Sequence, residues 1–224
     1  MIAGPDNLLR HGAYTLDQAA FFAGIPSAQK ARRWLFGSDR GERVLLPFSA
    51  DDELISFIDF IQLRQLRRLR SRLDFPLQQL RETIETAHSY GMDFPFARRH
   101  QVYHFAGEIV VRVGDQWVGA TGPHKHALHI QPVVAHPEAD LGFDETGLAS
   151  FFVAMRRGDR RVVLDPSKRL GAPIVEPCGY TVDSLVTAID SEGSVARAAR
   201  VFGVRVADVE LAASYERSLS RPAA

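Results

Sequence analysis

Hydrophobic and polar positions divide the chain into three textures. To about Phe96 apolar residues recur at helical spacing. Residues 100–121, "HQVYHFAGEIVVRVGDQWVGAT", instead alternate branched or aromatic residues with polar ones, with Gly107 and Gly114-Asp115 at the turn positions. That alternation predicts short strands arranged as two hairpins or a small meander. Beyond residue 190 the alanine-rich stretches "SVARAARVFGV" and "RVADVELAASYE" return to helical spacing. The pattern therefore predicts an α+β chain, mainly helical. Its parts are an N-terminal domain over 1–92, a β-hairpin-rich middle over 93–158, a small helical domain over 159–218 and a tail over 219–224.

Start and stop signals sharpen the first helices. Thr15 and Gln18 have the spacing of a capping box, in which hydroxyl and amide each satisfy a backbone group of the first turn. Gly24 supplies the left-handed conformation that ends such a helix. Ser27 is then the cap of a second helix reaching about Phe36, with Ala31, Trp34 and Leu35 inward and Gln29, Lys30, Arg32 and Arg33 outward. Two helices joined by a short glycine turn have the grammar of a helix-turn-helix, whose second helix enters the DNA major groove.

"GSDRGERVLLPF" follows, a tight turn carrying Arg40 and Arg43 before an apolar run, and reads as a β-hairpin wing. Asp51-Asp52-Glu53 after Ser49 reads as the acidic first turn of the next helix. On that helix Ile58, Ile61, Leu66, Leu69 and Leu73 form the buried side. Arg64, Arg68 and Arg72, with Arg67 beside them, form a basic stripe.

Charge matters only in its distribution. The 224 residues hold 27 basic and 27 acidic side chains, so no global attraction to nucleic acid is implied. Residues 27–43 nevertheless carry five basic side chains against two acidic ones, and residues 64–72 carry five arginines and no acid. DNA contact is expected from Gln29, Lys30, Arg32 and Arg33, with Arg40, Arg43, Arg64 and Arg68 on the phosphate backbone.

The C-terminal part scans as a second helix, turn and helix, with Ser194 as cap and Gly203 as breaker. Its last helix carries Asp208, Glu210 and Glu216 against Arg217, which predicts protein contact rather than phosphate contact. Val206, Leu211, Ala212 and Tyr215 are either a dimer or partner surface or that domain's own core.

The remaining chemistry is sparse. Cys178 is the one cysteine, which excludes an internal disulfide and fits a reducing compartment. No stretch reaches the roughly 18 apolar residues of a membrane helix, and the start of the chain lacks a signal-peptide core. A cytoplasmic protein with no membrane association is expected. His124, His126 and His129 in "PHKHALHIQP" are candidates for Zn or Ni, against the default of solvated loop histidines. No phosphate loop, dinucleotide fingerprint or nucleophile elbow is present, so neither catalysis nor a cofactor is expected.

Residues 14–88, from "YTLDQAAFFAGI" through "ARRWL" to "PFSADDELISFIDFIQLRQLRRLRSRLDFPLQQLRETIE", resemble the winged helix-turn-helix of MerR-type regulators. In that resemblance Arg32 matches the arginine before the aromatic that closes the recognition helix. "LGFDETGLASFF" and the run from "RRVVLDPSKRLGAPIVEPCGYTVDSLV" to "ELAASYE" resemble the later parts of VapB-type antitoxins that begin with a MerR-like reader. The resemblance implies an antitoxin that neutralises a PIN-domain ribonuclease toxin. It also implies that the chain, as a homodimer, represses its own operon by binding operator double-stranded DNA. By the same analogy Arg217 and Arg221 are the basic side chains that enter the toxin's acidic site. The alternative is a stand-alone MerR-like regulator that senses a small ligand or metal through the β-rich middle.

Overall fold

The computed structural model describes residues 12–38, 41, 43–48, 54–99, 101–105, 107–129 and 140–219. Helix and antiparallel sheet are both well represented, which makes the fold α+β. The chain divides into two compact units, one formed by residues 10–139 and 143–149, the other by 1–9, 140–142 and 150–224. The strands of residues 93–158 are shared between the two.

The N-terminal unit opens with β1 (Gly12–Thr15), α1 (Leu16–Ala23) and α2 (Ala28–Phe36). Both halves of the capping box form: Thr15 Oγ1 accepts from the Gln18 N–H at 3.2 Å, and Gln18 Oε1 accepts from the Thr15 N–H at 2.9 Å. Gly24, at φ 68°, ends α1 in the left-handed region, where its N–H returns to the last turn. The guanidinium of Arg67 lies over that turn, 3.2 Å from where a Cβ at Gly24 would stand. Ser27 caps α2 through its hydroxyl, which accepts from the Lys30 N–H.

β2 (Leu54–Ser56) pairs antiparallel with β1, setting Tyr14 opposite Ile55, and runs directly into α3 (Phe57–Arg72). The first two turns of α3 are buried all round, from Phe57 to Leu63. Tyr14, Phe22, Phe57 and Phe60 form an aromatic cluster there, with ring centroids 5.4–6.4 Å apart. Ile58, Ile61 and Leu66 are fully buried as expected. The start of the helix differs from expectation: α3 begins at Phe57 under a Ser56 cap, and Asp59 takes the place of the anticipated acidic first turn. Ser49 and residues 51–53 lie outside the described residues.

α4 (Leu77–Ser89) starts at Pro76, which offers no side-chain cap. It packs on β4 of a four-stranded antiparallel meander, β3 (Val102–Phe105), β4 (Glu108–Val113), β5 (Gln116–Gly119) and β6 (Leu128–His129). The hydroxyl of Thr86 donates to the Ala120 carbonyl at that contact. Gly107 and Gly114 take positive φ at the turns read from the sequence.

The C-terminal unit carries a second meander in the order β7 (Leu141–Phe143), β8 (Ala149–Arg157), β9 (Arg160–Leu164), β10 (Ile174–Glu176) and β11 (Tyr180–Thr181). Helices α5 (Val182–Glu192), α6 (Val195–Phe202) and α7 (Val206–Leu219) follow. Ser194 caps α6 and Gly203 ends it, both at the expected positions. Leu211, Ala212 and Tyr215 pack with Val162, Val175, Leu185 and Val209 in one core. They are therefore core and not a partner surface; of the four residues weighed for that role, Val206 alone is exposed, at 45%.

Asp208 departs from the surface position expected of it. It is 3% exposed and does not face solvent. One of its carboxylate oxygens accepts from the Arg205 N–H at 3.0 Å, and the other from Arg160 Nε at 2.7 Å. Its negative charge serves as a helix cap and as the partner of the partly buried Arg160 guanidinium, so it does not bear on contact with phosphates.

At the sheet's far side Glu176 accepts from Arg161 at 2.7 Å and from Lys168 at 3.0 Å. Burial alone would push its carboxyl up, but those hydrogen bonds and charges outweigh burial and hold it below the ordinary glutamate range. A carboxyl depressed in the folded state contributes stability above its unfolded pKa, about 4.3, and loses it as pH falls through the folded value. Urea midpoints measured from pH 6 down to pH 3 should fall more steeply for the native chain than for Glu176→Gln. Parallel curves would count against this coupling.

Candidate nucleic-acid interface

The outward face of α2 is built by simple helical spacing. Ala31, Trp34 and Leu35 are buried against the unit, which leaves Gln29, Arg32 and Arg33 exposed and Lys30 half-buried. Lys30 lies over the Trp34 ring at 5.3 Å, and Arg32 over the Phe36 ring at 5.7 Å. In both it is the charged group that sits over the ring face, a cation–π contact on the helix's own surface. Arg33 has no acidic partner among the described residues.

The segment after α2 is anchored rather than free-running. Ser38 and Gly41 exchange both backbone hydrogen bonds, at 2.9 and 3.0 Å, which forms the tight turn expected of "GSDRGERV". The described residues contain that isolated bridge but no pair of wing strands. Arg43 is exposed; Arg40 lies outside the described residues. The chain then returns to α2, where the Trp34 carbonyl accepts from the N–H groups of Val44 and Leu45.

Three side chains that the sequence reading passed over hold this return. Arg81 on α4 donates Nε to the Arg43 carbonyl at 3.1 Å. Gln62 donates to the Leu46 carbonyl at 3.2 Å. Asp59, 2% exposed, accepts at one oxygen from the Phe48 N–H at 2.7 Å and from Gln62 at 3.2 Å, and at the other from the Ser56 hydroxyl at 2.7 Å. A buried acidic residue amid an apolar helix start was the available signal, since such a group persists only with partners.

The arginine stripe on α3 is less open than the sequence suggested. Arg64 and Arg68 are half-buried, and Arg72 is exposed. Arg68 lines a cleft of about 40 Å³ with Gln65, Leu69, Leu73, Phe96 and Val102. Its charge, together with burial as the larger cause, lowers the pKa of His104. Arg68 thus has a role inside the unit.

Of the three histidines of residues 124–129 the structure brings two together, the rings of His124 and His129 standing edge to face with centroids 6.2 Å apart. His124 bonds Glu108 at 3.0 Å, His126 lies 3.5 Å from the Tyr90 hydroxyl, and His129 is half-buried on β6. Among the described residues no group of three or more His, Cys, Asp or Glu side chains is placed to hold a metal ion. Cys178 is partly buried and donates to the Val175 carbonyl, and burial pushes its thiol up, away from the reactive thiolate. Arg217 is exposed on α7; Arg221 lies outside the described residues.

No helix among the described residues is long and apolar enough to cross a membrane. No protein-family model and no curated protein matches the sequence. One solved structure, the X-ray crystal structure of Rv2018 from Mycobacterium tuberculosis, is similar in fold, with a TM-score of 0.62 and 18% identity. The likeness covers 91% of this chain and 98% of that one.

Asp59→Ala should leave three donors unsatisfied in a buried site and cost about 3 kcal/mol of stability. Urea denaturation checks this, and a loss below about 1 kcal/mol would show that the network is dispensable.

Proposed function

We propose that this chain is an antitoxin of the VapB type. Its N-terminal unit reads operator DNA as a winged helix-turn-helix, and the chain neutralises a PIN-domain ribonuclease by direct binding. The observation that carries the DNA half is the exposed face of α2, where Gln29, Arg32 and Arg33 stand together behind a glycine turn. Guanidinium and amide groups at that spacing fit the hydrogen-bonding edges of bases and the flanking phosphates. Arg43, held by the Arg81 bond to its own carbonyl, is suited to the phosphate backbone beside that helix.

The toxin half rests on the resemblance of residues 141–216 to the later parts of such antitoxins. Support comes from residues 150–216 lying in one compact unit, with the quoted segments forming adjacent strands and the helices that follow them. In this reading a homodimer binds a two-fold operator whose half-site spacing mirrors the dimer. The partner's acidic, metal-dependent site is covered by this chain, so repression and neutralisation are properties of one complex.

Two experiments test the reading. Arg32→Ala/Arg33→Ala should weaken binding to a duplex from the chain's own promoter and reduce the slope of log affinity against log salt by about two. Unchanged affinity and slope in a folded double variant would remove α2 from the interface. Co-expression with the neighbouring gene should yield a complex whose ribonuclease activity is silenced. An active or non-associating neighbour would refute the antitoxin assignment.

A further inference from the structure

The β8–β9 hairpin carries four arginines in cross-strand pairs, Arg156 opposite Arg161 and Arg157 opposite Arg160. Three of them have carboxylate partners. Arg160 pairs with Asp159 and Asp208, Arg161 with Glu176, and Arg156 lies 4.0 Å from Asp140. Arg157 differs: it donates to a neutral hydroxyl oxygen, Ser214 Oγ on α7, at 3.4 Å. Arg217, one turn further along α7, donates to the same oxygen at 3.2 Å. Ser214 donates its own hydrogen to the Glu210 carbonyl at 2.7 Å, so its oxygen faces the two guanidiniums as an acceptor.

Two exposed positive side chains thus converge on one uncharged oxygen. Among the described residues no carboxylate lies within ion-pair distance of either. Each guanidinium has five N–H donors and uses one here, so most of the donor capacity is unspent, and the like charges repel at this separation. A carboxylate entering between them would accept from both and cancel the repulsion, the arrangement in which guanidinium hydrogen bonds are strongest.

We propose that Arg157 and Arg217 form a cradle for one aspartate or glutamate side chain of a protein partner, with Ser214 as its positioning residue. In naming that partner the inference rests on the antitoxin reading, in which the acidic side chain belongs to the ribonuclease. The surroundings favour a single carboxylate over a nucleic-acid backbone. Glu210 and Glu216 are exposed on the same helix and would repel a run of phosphates, whereas one carboxylate brings one charge to two cations.

The cradle is tested first without a partner. In the full-length chain, acetate titrated against chloride at constant ionic strength should shift the arginine Nε–H resonances of Arg157 and Arg217 along one shared saturating curve. Arg200, exposed on α6, serves as the solvated control. Ser214→Ala keeps both charges and should abolish the shared response. Shifts no larger than those of Arg200, or a response unaltered in Ser214→Ala, overturn the site whether or not the chain is an antitoxin.

With the neighbouring ribonuclease in hand, Arg157→Gln/Arg217→Gln should weaken the complex at least about tenfold while leaving promoter affinity unchanged. Loss of DNA binding with ribonuclease binding intact would assign the pair to phosphate and overturn the proposal. If no ribonuclease binds the native chain, the antitoxin reading fails and the acetate titration still decides the cradle.

Discussion

The carboxylate of Asp59 is the constraint around which the N-terminal unit is arranged. It is removed from water, and its oxygens take hydrogens from a backbone group at Phe48, a hydroxyl at Ser56 and an amide at Gln62. Isolating a carboxylate in this way is tolerable only when every strong acceptor direction is used, so the group dictates where the three donors stand. Those donors belong to the return segment after α2, to the end of β2 and to α3. Because the return segment is also bonded to the Trp34 carbonyl, the orientation of α2 is tied to the same buried group. The exposed basic face is therefore linked to the buried network through the backbone hydrogen bonds at Trp34.

The C-terminal unit solves a similar problem with an ion pair whose carboxylate is buried. Asp208 lies in the first turn of α7 and Arg160 begins β9, and their bond links the sheet to the last helix where the apolar core alone would specify only proximity. Breaking such a pair leaves an uncompensated charge inside the protein, which makes the pairing a strong determinant of register even where its net stabilisation is small. Arg157, three positions before Arg160 and across the hairpin turn from it, is aimed along α7 by that geometry.

What was legible in the sequence was what is local. The Thr15–Gln18 box, the Gly24 and Gly203 helix ends and the Ser27 and Ser194 caps each involve groups within a few residues of one another, so spacing alone reveals them. The inward set Ala31, Trp34 and Leu35 follows from the same short-range periodicity. The unread features are those whose partners are distant. β2 exists because it finds β1 some forty residues earlier, and Asp208 is buried because Arg160 lies 48 positions away. Charge on a helix does not by itself say how open a side chain is: Arg68 is half-buried along a cleft, whereas Arg33 stands exposed with no acidic partner among the described residues.

Both larger sheets are meanders in which neighbouring strands are consecutive in the chain. Such an order closes small loops at each step and places little entropy cost ahead of each new contact. During synthesis, which delivers residues from the N-terminus, the helices and first meander of the N-terminal unit can be complete while most of the second meander has yet to emerge. The half of the molecule with the basic helix thus leaves the ribosome ahead of the half with the arginine pair.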